Sequence, residues 1–320
     1  MYACIDLGSN SFHLLIAEWE EGKIQLVERY SEKVQLGEGV QANGKISSEA
    51  FDRGLDCLQH FQSLISLHRV QRYWALGTNT FRIAGNADSF VKAADDIGIE
   101  ISIISGVQEA VLIYAGVISA LPDSDDNRLV IDIGGGSTEI IVGRRHRRLI
   151  THSLPVGCVA WRDRYFDATK GDYAALTHAL DQATTAAVEV FKGIVPGVNK
   201  YDWKNVYGSS GTAKMLTTVC QEHGIGNGEL TLFALQQLRG VMLNAIVEQI
   251  ELPGLKDKRR DLLLPGYAVM VGLMQALECE LVVFSASALR EGMMDFMVNN
   301  GKTAQTLANN DLPGVSYAGS

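Results

Sequence analysis

Apolar residues alternate or cluster in short blocks at the head of the chain, and further on they recur at helical spacing. Tyr2–Asp6, Phe12–Trp19 and Lys23–Tyr30 have the length and the branched or aromatic content of strands. Ser47, an N-cap residue type with Glu49 just after it, opens a stretch in which Phe51, Leu55, Leu58, Phe61 and Ile65 share one helical face. A strand at Arg72–Leu76, a helix near Ala87–Ile97, a strand at Glu100–Ile104 and a helix at Val107–Ala120 complete a βββαβαβα order. Leu121-Pro-Asp-Ser-Asp-Asp-Asn127 is a cluster of turn formers and the best boundary. Strand patterns then restart at Leu129, Glu139–Gly143 and Leu149–Ser153; helices dominate afterwards, with strands at Trp203–Tyr207 and Leu281–Phe284. The reading is an α/β protein with domains at 1–125 and 126–320 and a last helix at about 288–300 able to pack back on the first domain. Leu262–Leu277, the most apolar stretch, contains Pro265 and Gly266, is too short to span a bilayer, and reads as a buried helix.

The two halves open alike. Ile5-Asp-Leu-Gly-Ser-Asn-Ser11 matches Ile131-Asp-Ile-Gly-Gly-Gly-Ser137, and each is followed by an apolar run, Leu14-Leu-Ile16 and Ile140-Ile-Val142. A repeated strand, Asp, small-residue turn and strand predicts a duplicated domain with two facing loops and a central cleft.

Candidate chemistry gathers at these turns. Small residues let the backbone approach an anion, and successive N–H groups form a phosphate-binding nest. Gly8, Ser9, Asn10 and Ser11 make the first such loop, and Gly134, Gly135, Gly136, Ser137 and Thr138 the second. Ordinary hairpin turns favour the same residues, but two matched copies, each after an Asp, favour phosphate loops. Gly208, Ser209, Ser210 and Gly211 form a third small-residue turn. Asp6, Asp132 and Glu139 at the loop mouths suit a hard cation such as Mg²⁺ or Mn²⁺, which takes few carboxylates and completes its shell with phosphate and water. The plainer reading makes both Asp residues turn caps. Ser105-Gly-Val-Gln108 is a capping box that places Glu109 in a first helical turn. Residue type alone reads Glu109 first as an offset to the helix dipole, and second as a general base.

Several blocks, taken in order, are highly specific. They are Asp6-Leu-Gly-Ser-Asn-Ser11, Gly77-Thr-Asn-Thr-Phe-Arg82, Ser105-Gly-Val-Gln-Glu-Ala110, Asp132-Ile-Gly-Gly-Gly-Ser-Thr-Glu139, Ser153-Leu-Pro-Val-Gly157, Gly208-Ser-Ser-Gly-Thr212, Leu264-Pro-Gly266 and Ser287-Ala-Leu-Arg-Glu-Gly292. With them the chain resembles the exopolyphosphatase / guanosine pentaphosphate phosphohydrolase (Ppx/GppA) family. That resemblance implies two actin-like (ribonuclease-H-like, ASKHA superfamily) domains and Mg²⁺-dependent release of terminal phosphate from polyphosphate or guanosine pentaphosphate, the latter a stringent-response nucleotide. It also implies that Glu109 is the catalytic carboxylate, reversing the unaided order. Arg82, at the end of its block, becomes a phosphate clamp rather than a surface arginine. The family usually has paired glutamates where this chain has Gln108-Glu109, and the catalytic second one is kept. Longer members carry a further helical region; its absence here predicts distributive cleavage of long chains.

Composition narrows the rest. Net charge is −9, which disfavours nucleic acid and anionic membrane as partners. Five scattered cysteines without CxxC spacing, and no signal peptide, point to a reduced cytoplasmic protein. The seven histidines form no zinc spacing. Arg144-Arg-His-Arg-Arg148 reads as a solvated hairpin tip before it reads as a polyphosphate-steering patch, and Lys256-Asp-Lys-Arg-Arg260 is ambiguous in the same way. The alternatives are an ATP-dependent small-molecule kinase of the same fold, with Gly208–Thr212 holding the nucleotide, or a non-enzymatic nucleotide-binding scaffold. A homodimer is the assembly to test.

Overall fold

The computed structural model describes residues 1–20, 23–166, 172–226, 229–298 and 316–317. The chain divides into one unit of Met1–Pro122 with Ser287–Ser320, and a second of Asp123–Ala286. The first break lies in the polar turn cluster. The second unit therefore stops at Ala286 rather than running to the end, and the last helix belongs to the first unit.

The first unit contains β1 (Tyr2–Leu7), β2 (Phe12–Glu20), β3 (Lys23–Glu32), α1 (Val40–Asn43), α2 (Ser48–Leu67), β4 (Arg72–Gly77), α3 (Asn79–Ile83), α4 (Ala87–Asp96), β5 (Ile101–Ile103) and α5 (Gly106–Ser119). β1, β2 and β3 form an antiparallel meander; β4 lies parallel to β1 on its other side, and β5 parallel to β4. One face of this sheet, with Ile5, Leu7, Leu14 and Ile16, packs with Leu58, Phe61 and Phe90 from the helices. The α2 face follows the predicted period, and Ser47 Oγ accepts from Ala50 N at 3.2 Å, starting the helix where the sequence placed its cap.

The second unit repeats the plan with β6 (Asn127–Ile133), β7 (Thr138–Arg144), β8 (Arg147–Leu154), α6 (Cys158–Tyr165), α7 (Tyr173–Lys192), α8 (Val195–Asn199), β9 (Asn205–Ser209), α9 (Ser210–Glu222), β10 (Glu229–Thr231), α10 (Leu232–Val247), α11 (Leu263–Ala276) and β11 (Leu281–Phe284). Here β6, β7 and β8 form the meander, β9 lies parallel to β6, and β11 parallel to β9. Five strands of each sheet thus run in the same ribonuclease-H-like order, β5-β4-β1-β2-β3 and β11-β9-β6-β7-β8, with a sixth strand added at a different place in each of the two mixed, helix-flanked sheets. α11 is the predicted apolar helix, and it is buried along its length apart from Gln275. Among the described residues no helix is long and apolar enough to cross a membrane. The β7–β8 turn falls at Arg145 and His146, so the basic run is a hairpin tip, where Arg145 pairs with Asp125 at 2.8 Å.

The chain then re-enters the first unit as α12 (Leu289–Val298), ahead of a short β12 (Ser316–Tyr317) antiparallel to β4. Residues 299 and 300 of the predicted last helix lie outside the described residues. Phe296 of α12 stacks on Trp74 of β4 with centroids 5.1 Å apart.

Candidate active site

The first loop, Gly8–Ser11, joins β1 to β2. The Ser9 and Asn10 carbonyls accept from Gly37 N and Gln35 N, both at 2.8 Å. Thr80 Oγ1 donates to Ser9 Oγ at 2.8 Å, while Asn10 Nδ2 donates to Ser11 Oγ at 3.1 Å. With its carbonyls engaged on one side, the loop keeps the N–H groups of Ser9, Asn10 and Ser11 without an acceptor among the described residues. Adjacent N–H groups presented in this way make a nest for an anion.

The second loop, Gly134–Ser137, is built on the same principle with different supports. Gly134 N donates to Ser137 O at 2.9 Å and closes the turn. The N-terminus of α6 then takes up the loop carbonyls: Cys158 N donates to Gly134 O at 2.9 Å, and Val159 N and Ala160 N to Gly135 O at 2.8 and 3.1 Å. These bonds satisfy the orphan donors of a helix start. They leave the N–H groups of Gly135, Gly136 and Ser137 without an acceptor among the described residues. Thr138 is fully buried and its hydroxyl donates to Val156 O at 2.5 Å, so it braces the hairpin.

In the third turn Gly208 belongs to β9, where a Cβ would lie 2.7 Å from Val282 Cγ1. Ser209 is fully buried and donates to Asp132 Oδ2 at 2.5 Å. Ser210 adopts φ 85°, a conformation L-residues rarely hold, and its Oγ accepts from Thr212 N at 3.2 Å. The Arg259 guanidinium covers Gly211 so closely that a Cβ there would lie 2.2 Å from Nη2. Its neighbour Arg260 instead donates to Ala245 O and Ile250 O at 2.6 and 2.8 Å.

Asp132 and Glu139 are direct cross-strand partners on β6 and β7. Partners opposite each other project from the same face. The row continues to Ser153 on β8 and Ser209 on β9. Ser153 Oγ donates to Glu139 Oε1 at 2.8 Å, and the two carboxylates are only 9% and 1% exposed. The same row in the first unit reads Ser31, His13, Asp6 and Leu76. Asp6 therefore faces a histidine where Asp132 faces a glutamate. Among the described residues no three His, Cys, Asp or Glu side chains gather into a metal-holding group.

Glu109 lies in the first turn of α5. Both halves of the predicted capping box are present, with Ser105 Oγ accepting from Gln108 N and Gln108 Oε1 from Ser105 N. Glu109 is 8% exposed, and Arg82, from the last turn of α3, donates through Nη1 to Glu109 Oε2 at 2.9 Å and to Ile104 O at 3.0 Å. The ion pair offsets the cost of burying the carboxylate. The other Arg82 N–H groups make no bond among the described residues. Sequence reasoning missed Thr80, Ser153, Gly157 and Arg259 as supports. Thr80, Ser153 and Gly157 all lie in recognised blocks and Arg259 in the second basic run, but nothing in those stretches shows what they touch.

The chain matches the Ppx/GppA phosphatase family over residues 15–300. It belongs to that family. It is similar to the crystal structure of an exopolyphosphatase from Cytophaga hutchinsonii, with 26% identity over 93% of this chain and 98% of that one and a TM-score of 0.80. It is also similar to the Aquifex aeolicus Ppx/GppA family member, with 21% identity over 93% and 97% and a TM-score of 0.74. For this Ppx/GppA protein the fold class is accordingly the actin-like one, built from the two ribonuclease-H-like sheets.

Proposed function

We propose that this Ppx/GppA protein is a divalent-metal-dependent phosphoanhydride hydrolase releasing terminal phosphate from inorganic polyphosphate or guanosine pentaphosphate. The observation that carries the reading is Glu109, a buried carboxylate held by Arg82 at 2.9 Å in the first turn of α5. The name of the Cytophaga relative, an exopolyphosphatase, supports the substrate class.

In this reading Glu109 orients a water and takes its proton as the water oxygen attacks the terminal phosphorus. The bridging P–O bond breaks, and its electron pair leaves on the oxygen of the shortened product. Arg82 already fixes the carboxylate through Nη1, and its remaining N–H groups clamp phosphate oxygens. The N–H groups of the Gly8–Ser11 loop, in the same unit as Glu109, bind further phosphate oxygens, and the Gly134–Ser137 loop gives the second unit an anion nest of its own.

The all-oxygen pair Asp132 and Glu139 fits Mg²⁺ or Mn²⁺, since such an ion takes one or two carboxylates and lets phosphate complete its shell. These two residues would hold it; Asp6 is the corresponding carboxylate of the first unit's own loop. When bound, the ion would neutralise charge on phosphate oxygens.

The test is phosphate release from polyphosphate, guanosine pentaphosphate and ATP in parallel, with and without chelator. Glu109→Gln should lower kcat by about 10²–10⁴-fold with KM little changed. Near-full turnover of that variant would exclude Glu109 as the base, and full activity in excess chelator would exclude the metal.

A further inference from the structure

Two glycines outside every loop discussed so far bring α12 onto α5 backbone to backbone. A Cβ on Gly292 would lie 1.9 Å from Leu112 O, and a Cβ on Gly116 would lie 1.9 Å from Ala288 O. Both glycines are buried, and both contacts are to main chain, which cannot swing aside. α5 is the helix that carries Glu109, with Leu112 less than one turn beyond it. α12 is also tied to the sheet. Phe296 stacks on Trp74, and Glu291 accepts from Arg29 of β3 at 2.7 Å while also accepting from Ala288 N at 2.9 Å.

We propose that the Gly116–Gly292 crossing is a positioning device, in which α12 fixes where α5, and therefore Glu109, sits against Arg82. This rests on the reading of Glu109 as the base. An added methyl at Gly292 must move from 1.9 Å to beyond the 3.0 Å below which such contacts are essentially never seen, so the helices separate by about 1.1 Å. Displacements of that size at a reacting group cost on the order of 10²-fold in rate. A helix is stiff over two turns, so a shift imposed at Leu112 and Gly116 reaches Glu109.

The experiment is a double-mutant cycle on phosphate release from short polyphosphate in the full chain. Gly292→Ala should lower kcat by about 10²-fold with KM nearly unchanged, and the same substitution on a Glu109→Gln background should cost less than about threefold. Phe296→Ala adds no clash and keeps the question answerable should Gly292→Ala not fold; it should lower kcat about tenfold, again only when Glu109 is present. Leu58→Ala, on the buried face of α2, controls for lost stability and should leave kcat alone. Normal kcat in both α12 variants, or losses that persist in full without Glu109, overturns the proposal. If Glu109→Gln is itself fully active, the reading of the base fails instead, and the two failures are distinct.

Discussion

Gly157 offers a sharp test of how the second loop is held. Its backbone is extended, at φ −150° and ψ 162°, a conformation any residue adopts. Replacing it with alanine therefore adds a methyl without adding backbone strain. That methyl would meet Gly135 O at 2.4 Å, Gly135 C at 2.5 Å and Gly136 N at 2.6 Å. Reaching the 3.4 Å of an ordinary contact requires the loop and the start of α6 to part by about 1 Å. The bonds from Cys158 N, Val159 N and Ala160 N to the loop carbonyls are 2.8–3.1 Å long and cannot all survive such a move. Overpacking of this kind typically costs about 1–3 kcal/mol. The rate effect should be larger in proportion, because the N–H groups of Gly135 and Gly136 move with the loop, and about 10²-fold is expected for a 1 Å misplacement. Steady-state phosphate release and thermal unfolding, measured on Gly157→Ala, give the two numbers. Gly240→Ala makes the same chemical change inside α10, where nothing lies within 4 Å, and should leave the rate unchanged. A Gly157→Ala enzyme within about threefold of the parent rate would refute the account of the loop.

Two further outcomes follow from local geometry. At Ser210, φ 85° should make Ser210→Gly more stable than Ser210→Ala by about 1 kcal/mol in denaturant unfolding; equal stabilities would mean the strain is absent. His152 has its pKa held below the ordinary value by burial, and its Nε2 has no hydrogen-bond partner among the described residues. The unfolded chain then binds the proton more tightly than the folded one, so stability is full above the ordinary histidine value near 6.5 and falls as pH drops through it to the lower folded value. His152→Leu should flatten the loss of Tm between about pH 7.5 and pH 5.5, and an unchanged slope would dismiss His152 as its source.

Much of this was legible in the sequence because the signals were local. Capping at Ser47 and Ser105 rests on side chains reaching the next turn, and the structure shows the expected bonds. The repeated Asp and small-residue turn gave the duplicated sheets, since strand, turn and strand are contiguous. What escaped depends on register and on distant backbone. Counting outward from the Arg144–Arg147 pair sets Glu139 opposite His152, but an irregularity between Val142 and Gly143 moves the partner to Ser153. One residue of slip exchanges the two faces of a strand, so the serine that holds Glu139 could not be read without coordinates. Gly157 and Gly292 stood in recognised blocks, yet their reason lies in close approaches to Gly135 and Leu112 that no spacing reveals. Arg82 showed its residue type, and only the fold brings it to Glu109 across the β5 connection.

The unequal rows across the two sheets carry a consequence for ancestry. A gene doubled in place would begin with identical halves; here the core strand order is shared while the row differs at two places, His13 against Glu139 and Leu76 against Ser209. Identical copies would offer the same side chains twice, whereas the second sheet sets two carboxylates side by side and the first a carboxylate beside a histidine. Two copies that began alike have thereby become chemically unlike, and a cation that prefers paired carboxylates would tell them apart.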